Sequence, residues 1–251
     1  MENTLYIIVP CYNEEAALPE SLTVLRIRLR SMIEGGLVSP NRRIMLVSDG
    51  STDRTNEYVE SYSSAFDDVC GVILAKNRGH QNAVTTGIVC ALRRGAEAIL
   101  SIDADLQDDP CAMDEMAEKW LKGADIVCGV RSQRSTDRFL KRFTAHFYYR
   151  FANLFGAKLI YDHADFRLMS KKACEKLLCY GTDDLFLRGL ITRLGLPLEK
   201  VYYERRAREQ GESKYTLGKM FALAAKGFEI NRCKPAETMQ IGELYIEKEV
   251  G

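Results

Sequence analysis

Asp103-Ala104-Asp105 sets two carboxylates two residues apart, directly after the apolar run Ala98-Ile99-Leu100. Residues i and i+2 leave a strand end on the same side, so the pair could share one divalent cation. Hard cations such as Mg²⁺ or Mn²⁺ take oxygen ligands, one or two carboxylates with substrate phosphates completing the shell. A lone D-x-D is more often an acidic, solvated loop. Here it has company: Asn13 and Glu14 follow the apolar run 5–9, and Asp49 and Asp53 follow the run 43–47. No G-x-G-x-x-G follows the first run, and no G-x-x-x-x-G-K-[ST] occurs anywhere in the chain. A polar, acidic first loop suits base and ribose hydroxyls better than pyrophosphate. A diphosphate would need neutralising elsewhere, and a cation on Asp103 and Asp105 would supply that.

These residues need strand ends to carry them, and the pattern provides them. Leu5 to Val9 is a continuous apolar run, as in a strand covered on both faces. A helix is predicted over 16–33, a second strand over 43–47, and a helix from Asp53 through Tyr62 with Asp53 near its N-terminus. Strands over 69–74 and 98–102 and helices over 82–93 and 111–122 follow, with a further strand at 201–204. Repeated βα steps with short loops predict an α/β fold with a Rossmann-like, doubly wound, mostly parallel sheet and helices on both faces. Such sheets collect ligands at the carboxyl ends of their strands, where the acidic loops fall.

Composition limits the function classes. The chain has 251 residues with 35 basic and 35 acidic side chains, so no nucleic-acid partner is expected from global charge. The eight cysteines form no C-x-x-C pair and several sit in apolar runs, which points to a reducing, cytosolic compartment. Leu5 to Val9 is too short and lacks the basic flank of a signal peptide, and no apolar run reaches bilayer-spanning length.

Val9-Pro10-Cys11-Tyr12-Asn13-Glu14, Ser48-Asp49-Gly50-Ser51-Thr52-Asp53, Asn77-Arg78-Gly79 and Asp103-Ala104-Asp105-Leu106-Gln107 stand in an order and spacing that resembles the family 2 inverting glycosyltransferases of the GT-A fold. Asp165-Phe166-Arg167-Leu168-Met169-Ser170 and Gly211-Glu212-Ser213-Lys214-Tyr215 are similar to the branch with dolichyl-phosphate mannose synthase and the bacterial polyprenyl-phosphate glycosyltransferases. Ser48 departs from the family, which often has aspartate there, at the expected cost of one hydrogen bond to the nucleotide. The resemblance implies a catalytic domain over 1–228, with a nucleotide-sugar half to about residue 130 and an acceptor half from 131, then a polar tail over 229–251. It implies that Pro10, Tyr12 and Glu14 line the nucleoside and that Asp49 faces base or ribose. Asp103, Ala104 and Asp105 would span ribose, diphosphate and Mg²⁺ or Mn²⁺, with Gln107 near the donor sugar and Arg131 on a donor phosphate.

From Asp137 to Phe155 a basic stripe (Arg138, Arg142, His146, Arg150) runs beside a phenylalanine stripe at the same four-residue interval. An ordinary amphipathic helix reads this way, and so does one lying in an anionic membrane surface. The resemblance favours the membrane reading, with Arg142 holding a polyprenyl phosphate. Arg205, Arg206, Ser213 and Lys214 lie in a glycine-flanked cationic loop that could fold over a diphosphate. The expected reaction is in-line displacement at the anomeric carbon. Asp105, Arg131 and Lys214 then belong to the catalytic set, and Asp165 heads the candidates Asp162, Asp165, Asp183 and Asp184 for a base if the acceptor is a hydroxyl. The leading reading is a metal-dependent hexosyltransferase, peripheral on the cytoplasmic face of the membrane, using a nucleotide-diphosphate sugar and a polyprenyl phosphate in envelope polysaccharide or glycoconjugate synthesis. A separate membrane partner is an open alternative to direct peripheral docking. A soluble transferase acting on a saccharide or protein hydroxyl and an inactive nucleotide-sugar binding subunit are the other readings.

Overall fold

The computed structural model describes residues 3–132, 163–183, 185–205 and 235–251. Its first half runs β1 (Leu5–Cys11), α1 (Leu18–Glu34), β2 (Arg43–Ser48), α2 (Thr55–Ala65), β3 (Val69–Leu74), α3 (His80–Arg93), β4 (Ala98–Ser101) and α4 (Ala112–Leu121). Then come β5 (Ile126–Arg131), β6 (His163–Ser170), α5 (Lys171–Leu178), the short α6 (Leu187–Leu190), β7 (Leu198–Tyr203) and β8 (Ile246–Val250).

The strands form one sheet in the order β7-β5-β6-β4-β1-β2-β3-β8. The βα units from β1 to β4 pair in parallel, and β5 pairs in parallel with β7. The predicted α/β class and mostly parallel sheet are present. Two strands depart from the parallel direction: β6 runs antiparallel between β4 and β5, and β8 runs antiparallel along β3. Residues 246–250, read from sequence as part of a polar tail, are therefore built into the edge of the sheet. Ile246 packs against the α3 side of the sheet and Val250 against the α1 side, while the three charged residues between them stay exposed, as suits a sheet edge.

Side-chain alternation explains the layers. Leu5, Ile7 and Val9 of β1 face the side covered by α1 and α4, whereas Tyr6 and Ile8 face α3 and α5. Helix α1 buries Leu18, Leu22, Leu25, Leu29 and Met32, one stripe at three- and four-residue spacing. Helix α3 is buried continuously from Asn82 to Ala91. A Cβ at Gly87 would stand 2.7 Å from Ile8 Cγ2, so the small residue lets α3 settle directly on β1. Each buried Leu, Ile or Val contributes about 1.5–3 kcal/mol by leaving water. The cysteines at 11, 70, 90, 128 and 174 are free and buried, and burial pushes the Cys70 thiol up to about 11. They behave as small apolar residues.

Parallel strands send the loops after β1, β2, β3 and β4 to one end of the sheet. The loop after β2 passes so close to the loop after β3 that a Cβ on Gly50 would sit 2.3 Å from the backbone nitrogen of Asn77. Gly50 also has φ +62°, the left-handed region that glycine enters without a Cβ penalty. Gly50→Ala is therefore expected to cost about 3 kcal/mol or more from backbone strain and overpacking together. A urea midpoint equal to that of the parent would contradict this packing.

Candidate active site

An open cleft of about 280 Å³ lies where these loops meet. It brings together Pro10, Tyr12, Glu14, Asp49, Asp103, Ala104 and Asp105, all singled out from the sequence. Asn77 and Gly79, of the motif after the third strand, and His80, to which the sequence reading gave no role, also line it. Tyr12 is 48% exposed, which leaves its ring free at the rim rather than packed in the core.

The loop after β1 is tied to the loop after β2 by reciprocal side-chain-to-backbone bonds. Asn13, held at φ +55°, accepts the Thr52 amide at 2.8 Å through Oδ1. The amide of Glu14 donates to Thr55 Oγ1 at 2.9 Å, and that of Glu15 donates to Asp53 Oδ2 at 3.1 Å. Asp53 also accepts the Thr55 amide at the start of α2, and these hydrogen bonds hold its carboxyl below the usual range although burial acts the other way. Ser48 turns inward, its Oγ 2.6 Å from Asn56 Oδ1 and 2.9 Å from Ser51 Oγ. Asp49 is 3% exposed and receives two amides of the loop after β3, Arg78 N at 2.7 Å and Gly79 N at 2.8 Å. Its carboxylate oxygens are thus engaged by backbone, where the sequence reading turned them to base or ribose.

At the floor, Asp105 is exposed to the cleft and held from behind. Gln107, itself buried, donates its side-chain amide to Asp105 Oδ2 at 2.6 Å and its backbone amide to Oδ1 at 3.2 Å. Burial, with Asp165, Asp108 and Asp105 nearby, pushes the Asp103 carboxyl up, and only His80 opposes that. Two carboxylates two residues apart in one loop form an oxygen donor set that suits a hard divalent cation. No cluster of three or more metal-ligating side chains occurs among the described residues, so phosphate and water would complete the shell. The arrangement fits Mg²⁺ or Mn²⁺ held by Asp103 and Asp105.

His80 Nε2, at the first residue of α3, lies 3.7 Å from Asp103 Oδ1 and 3.8 Å from Asp165 Oδ2. Asp165 is clamped by Arg167, with which it forms a very close ion pair, and by Arg188, which donates at 2.7 Å and 3.2 Å. Burial alone would raise the Asp165 carboxyl, but Arg188 and Arg167 hold it well below the usual carboxylate range. A base kept so strongly ionised has little proton affinity, which weakens its candidacy as the group that deprotonates a hydroxyl. Arg188 carries no local motif, and only the folding of α6 beside β6 brings it to this carboxylate.

Arg131 ends β5 and turns to Asp108, donating at 3.0–3.3 Å to a carboxylate that is 2% exposed. The structure gives its guanidinium to this internal pair rather than to the cleft. Asp183 pairs with Arg78 at 3.0 Å, outside the cleft lining. Arg205 is exposed just after β7. Arg142, Arg206, Ser213, Lys214, Asp162, Asp184 and the stripes from Asp137 to Phe155 lie outside the described residues.

The geometry yields two expected outcomes. Arg131→Met leaves a buried carboxylate without its cation and should cost about 3–5 kcal/mol of stability. Parent-like stability with lost turnover would instead assign Arg131 to the substrate. Asp165→Asn leaves Arg167 and Arg188 facing each other without a carboxylate and should cost about 3 kcal/mol or more at neutral pH. Because the folded pKa of Asp165 lies below its unfolded value near 4, its contribution is complete above about pH 4 and is lost as pH falls through the folded value. The gap between parent and variant, read from urea midpoints, should narrow on acidification; a gap independent of pH would exclude this pairing as its source.

Residues 6–178 match the family described as Glycosyl transferase family 2. The chain is 43% identical to an uncharacterized glycosyltransferase of Bacillus subtilis (strain 168), over 89% of this chain and 66% of the relative. It is 33% identical to a prophage bactoprenol glucosyl transferase homolog of Escherichia coli (strain K12), over 88% of this chain and 70% of the relative. The chain thus spans about two thirds of the length of these relatives. Among solved structures, glucosyl-3-phosphoglycerate synthase of Mycobacterium tuberculosis, crystallised with Mn²⁺, UDP-glucose and phosphoglyceric acid, superposes with TM-score 0.59 at 18% identity, covering 99% of this chain and 89% of that one. Mannosyl-3-phosphoglycerate synthase of Rubrobacter xylanophilus does so with TM-score 0.59 at 17% identity, covering 91% and 73%. A polar cleft over a D-x-D, at the carboxyl ends of a doubly wound sheet of GT-A type, thus accompanies a family match over most of the sequence, and the chain belongs to glycosyltransferase family 2.

Proposed function

We propose that the chain transfers a hexose from a UDP- or GDP-sugar to a polyprenyl phosphate at a membrane surface. The observation that carries the donor half is the placement of Asp103 and Asp105 on the floor of the cleft, beneath a rim formed by Tyr12 and Glu14. Tyr12 offers its exposed ring to the base, and Asp103 with Asp105 meets ribose and diphosphate. Mg²⁺ or Mn²⁺, when bound there, supplies positive charge against the leaving diphosphate, as the Mn²⁺ and UDP-glucose of the mycobacterial relative also suggest. Gln107 fixes the Asp105 carboxylate, and the bonds between the first two loops keep the rim closed around the nucleoside.

The acceptor half is supported by the relatives named for bactoprenol, a polyprenol, and by the state of Asp165. A lipid phosphate oxygen is already an anion. It attacks the anomeric carbon as the bond from that carbon to the diphosphate oxygen breaks, the electron pair leaves with the nucleoside diphosphate, and the centre inverts. No proton has to be removed, so a carboxylate held ionised by two arginines is no handicap. In this reading Asp165 keeps Arg167 and Arg188 beside the floor of the cleft, where their charge opposes the build-up of negative charge on donor and acceptor. The cationic residues Arg142, Arg205, Arg206 and Lys214, with Ser213, are assigned to the lipid phosphate and the diphosphate on the resemblance alone. No helix among the described residues is long and apolar enough to cross a membrane.

The test is a screen of UDP- and GDP-hexoses against a polyprenyl phosphate, a saccharide hydroxyl and water, with Mn²⁺ and with excess chelator. Sugar should appear on the lipid phosphate only with the metal. Asp105→Asn should lower turnover by about a hundredfold or more while the melting temperature stays put. Transfer to the saccharide alone would move the acceptor to the hydroxyl class, and full turnover in chelator would remove the metal.

A further inference from the structure

The described C-terminal segment crosses the molecule on the outside of the cleft wall. The amide of Ala236 donates to Cys179 O at 2.8 Å, that of Gln240 to Leu178 O at 2.9 Å, and that of Gly242 to Thr182 Oγ1 at 2.9 Å. The segment then reaches the loop after β3, where Ala75 N donates to Tyr245 O at 2.9 Å, and continues as β8. Residues 235–243 are exposed throughout, so this stretch contributes little to the core. At Tyr245 the backbone takes φ +54°, a conformation that a bulky side chain adopts only where its surroundings impose it.

That conformation places the Tyr245 ring under two cations. The Arg78 guanidinium carbon is 4.1 Å from the ring centroid, and Lys76 Nζ is 4.8 Å from it. On its other side Arg78 donates to Asp183 Oδ1 at 3.0 Å. Arg78 is thus gripped from outside by Tyr245 and Asp183, while its own amide and that of Gly79 are gripped from inside by Asp49. Asn77, Gly79 and His80, on either side of Arg78, form the cleft wall. We infer that Tyr245 and Asp183 are positioning residues for the nucleotide: through the Arg78 side chain they hold the loop after β3 against Asp49, so that donor affinity depends on the C-terminal strap. The inference rests on the donor reading above and adds to it a dependence on residues that touch no substrate.

The experiment compares the parent with Tyr245→Phe, Tyr245→Ala, Asp183→Ala and Lys248→Ala, the last removing a β8 ion pair to Glu60 that lies away from Arg78. UDP and GDP binding with Mn²⁺ is titrated calorimetrically, beside amide hydrogen exchange at Arg78 and Gly79 and a melting curve. Tyr245→Ala should raise the Kd about tenfold and speed exchange at both amides, whereas Tyr245→Phe, which keeps the ring face, should do neither. Asp183→Ala, at an exposed bend, should act in the same direction by about threefold with a parent-like melting curve. Lys248→Ala should leave Kd and both amides unchanged. Parent-like affinity in Tyr245→Ala, an equal loss in Tyr245→Phe, or an equal loss in Lys248→Ala overturns the inference. A parent that binds neither nucleotide overturns the donor reading and this inference together.

Discussion

The carboxylate of Asp49 accepts the amides of Arg78 and Gly79, and the geometry of the cleft follows from that pair of bonds. A buried carboxylate needs donors, and the two half-buried amides of this loop supply them. The bonds bring the loop after β3 against the loop after β2 so closely that only glycine fits at position 50. The loop after β2 in turn holds the loop after β1 through Asn13, Asp53 and Thr55. Three loops that would be mobile singly become one wall with a fixed rim.

The floor of the site is organised by charge. Asp103, Asp105 and Asp165 bring three carboxylates near one another, and His80 stands between the first and the last. Asp165 is neutralised by arginines from β6 and α6, whereas Asp103 is left with its carboxyl pushed up. Negative charge is thus left at Asp103 and Asp105, on the lining of the cleft. Arg131, which the motif aligned with a donor phosphate, instead neutralises the buried Asp108 under the same loop. The acidic stretch from Asp103 to Asp109 therefore divides its labour: Asp108 anchors the loop internally, and Asp105 faces out.

The edge of the sheet enters the same arrangement. Strand β8 covers β3 with Val250 and Ile246 while showing Glu247 and Lys248 to water, a charged edge that discourages further pairing. Arg94 at the end of α3 holds Glu249 at 3.1 Å, so the helix that begins at His80 is pinned at its far end by the same segment that supports Arg78.

The layered sheet was legible in the sequence, and so were the acidic loops that line the cleft. Short continuous apolar runs such as 5–9 and 69–74, set between polar loops, read as strands buried on both faces, and parallel strands deliver Asn13, Asp49 and Asp103 to one end. The Asp103-Ala104-Asp105 pair was legible for the same local reason, since its chemistry depends on an i, i+2 spacing. Which charged groups meet partners far along the chain was set by the folding of distant segments together. Asp49 reaches Arg78 across 29 residues, Asp165 reaches Arg188 across 23, and Arg131 reaches Asp108 across 23. Nothing in the spacing of these residues distinguishes a ligand-binding group from one neutralised internally, because that depends on the dielectric and the counter-charge at the folded site. The direction of β6 and the docking of β8 were beyond local pattern as well. An antiparallel neighbour and an edge strand read like their parallel counterparts until a partner strand supplies the hydrogen bonds.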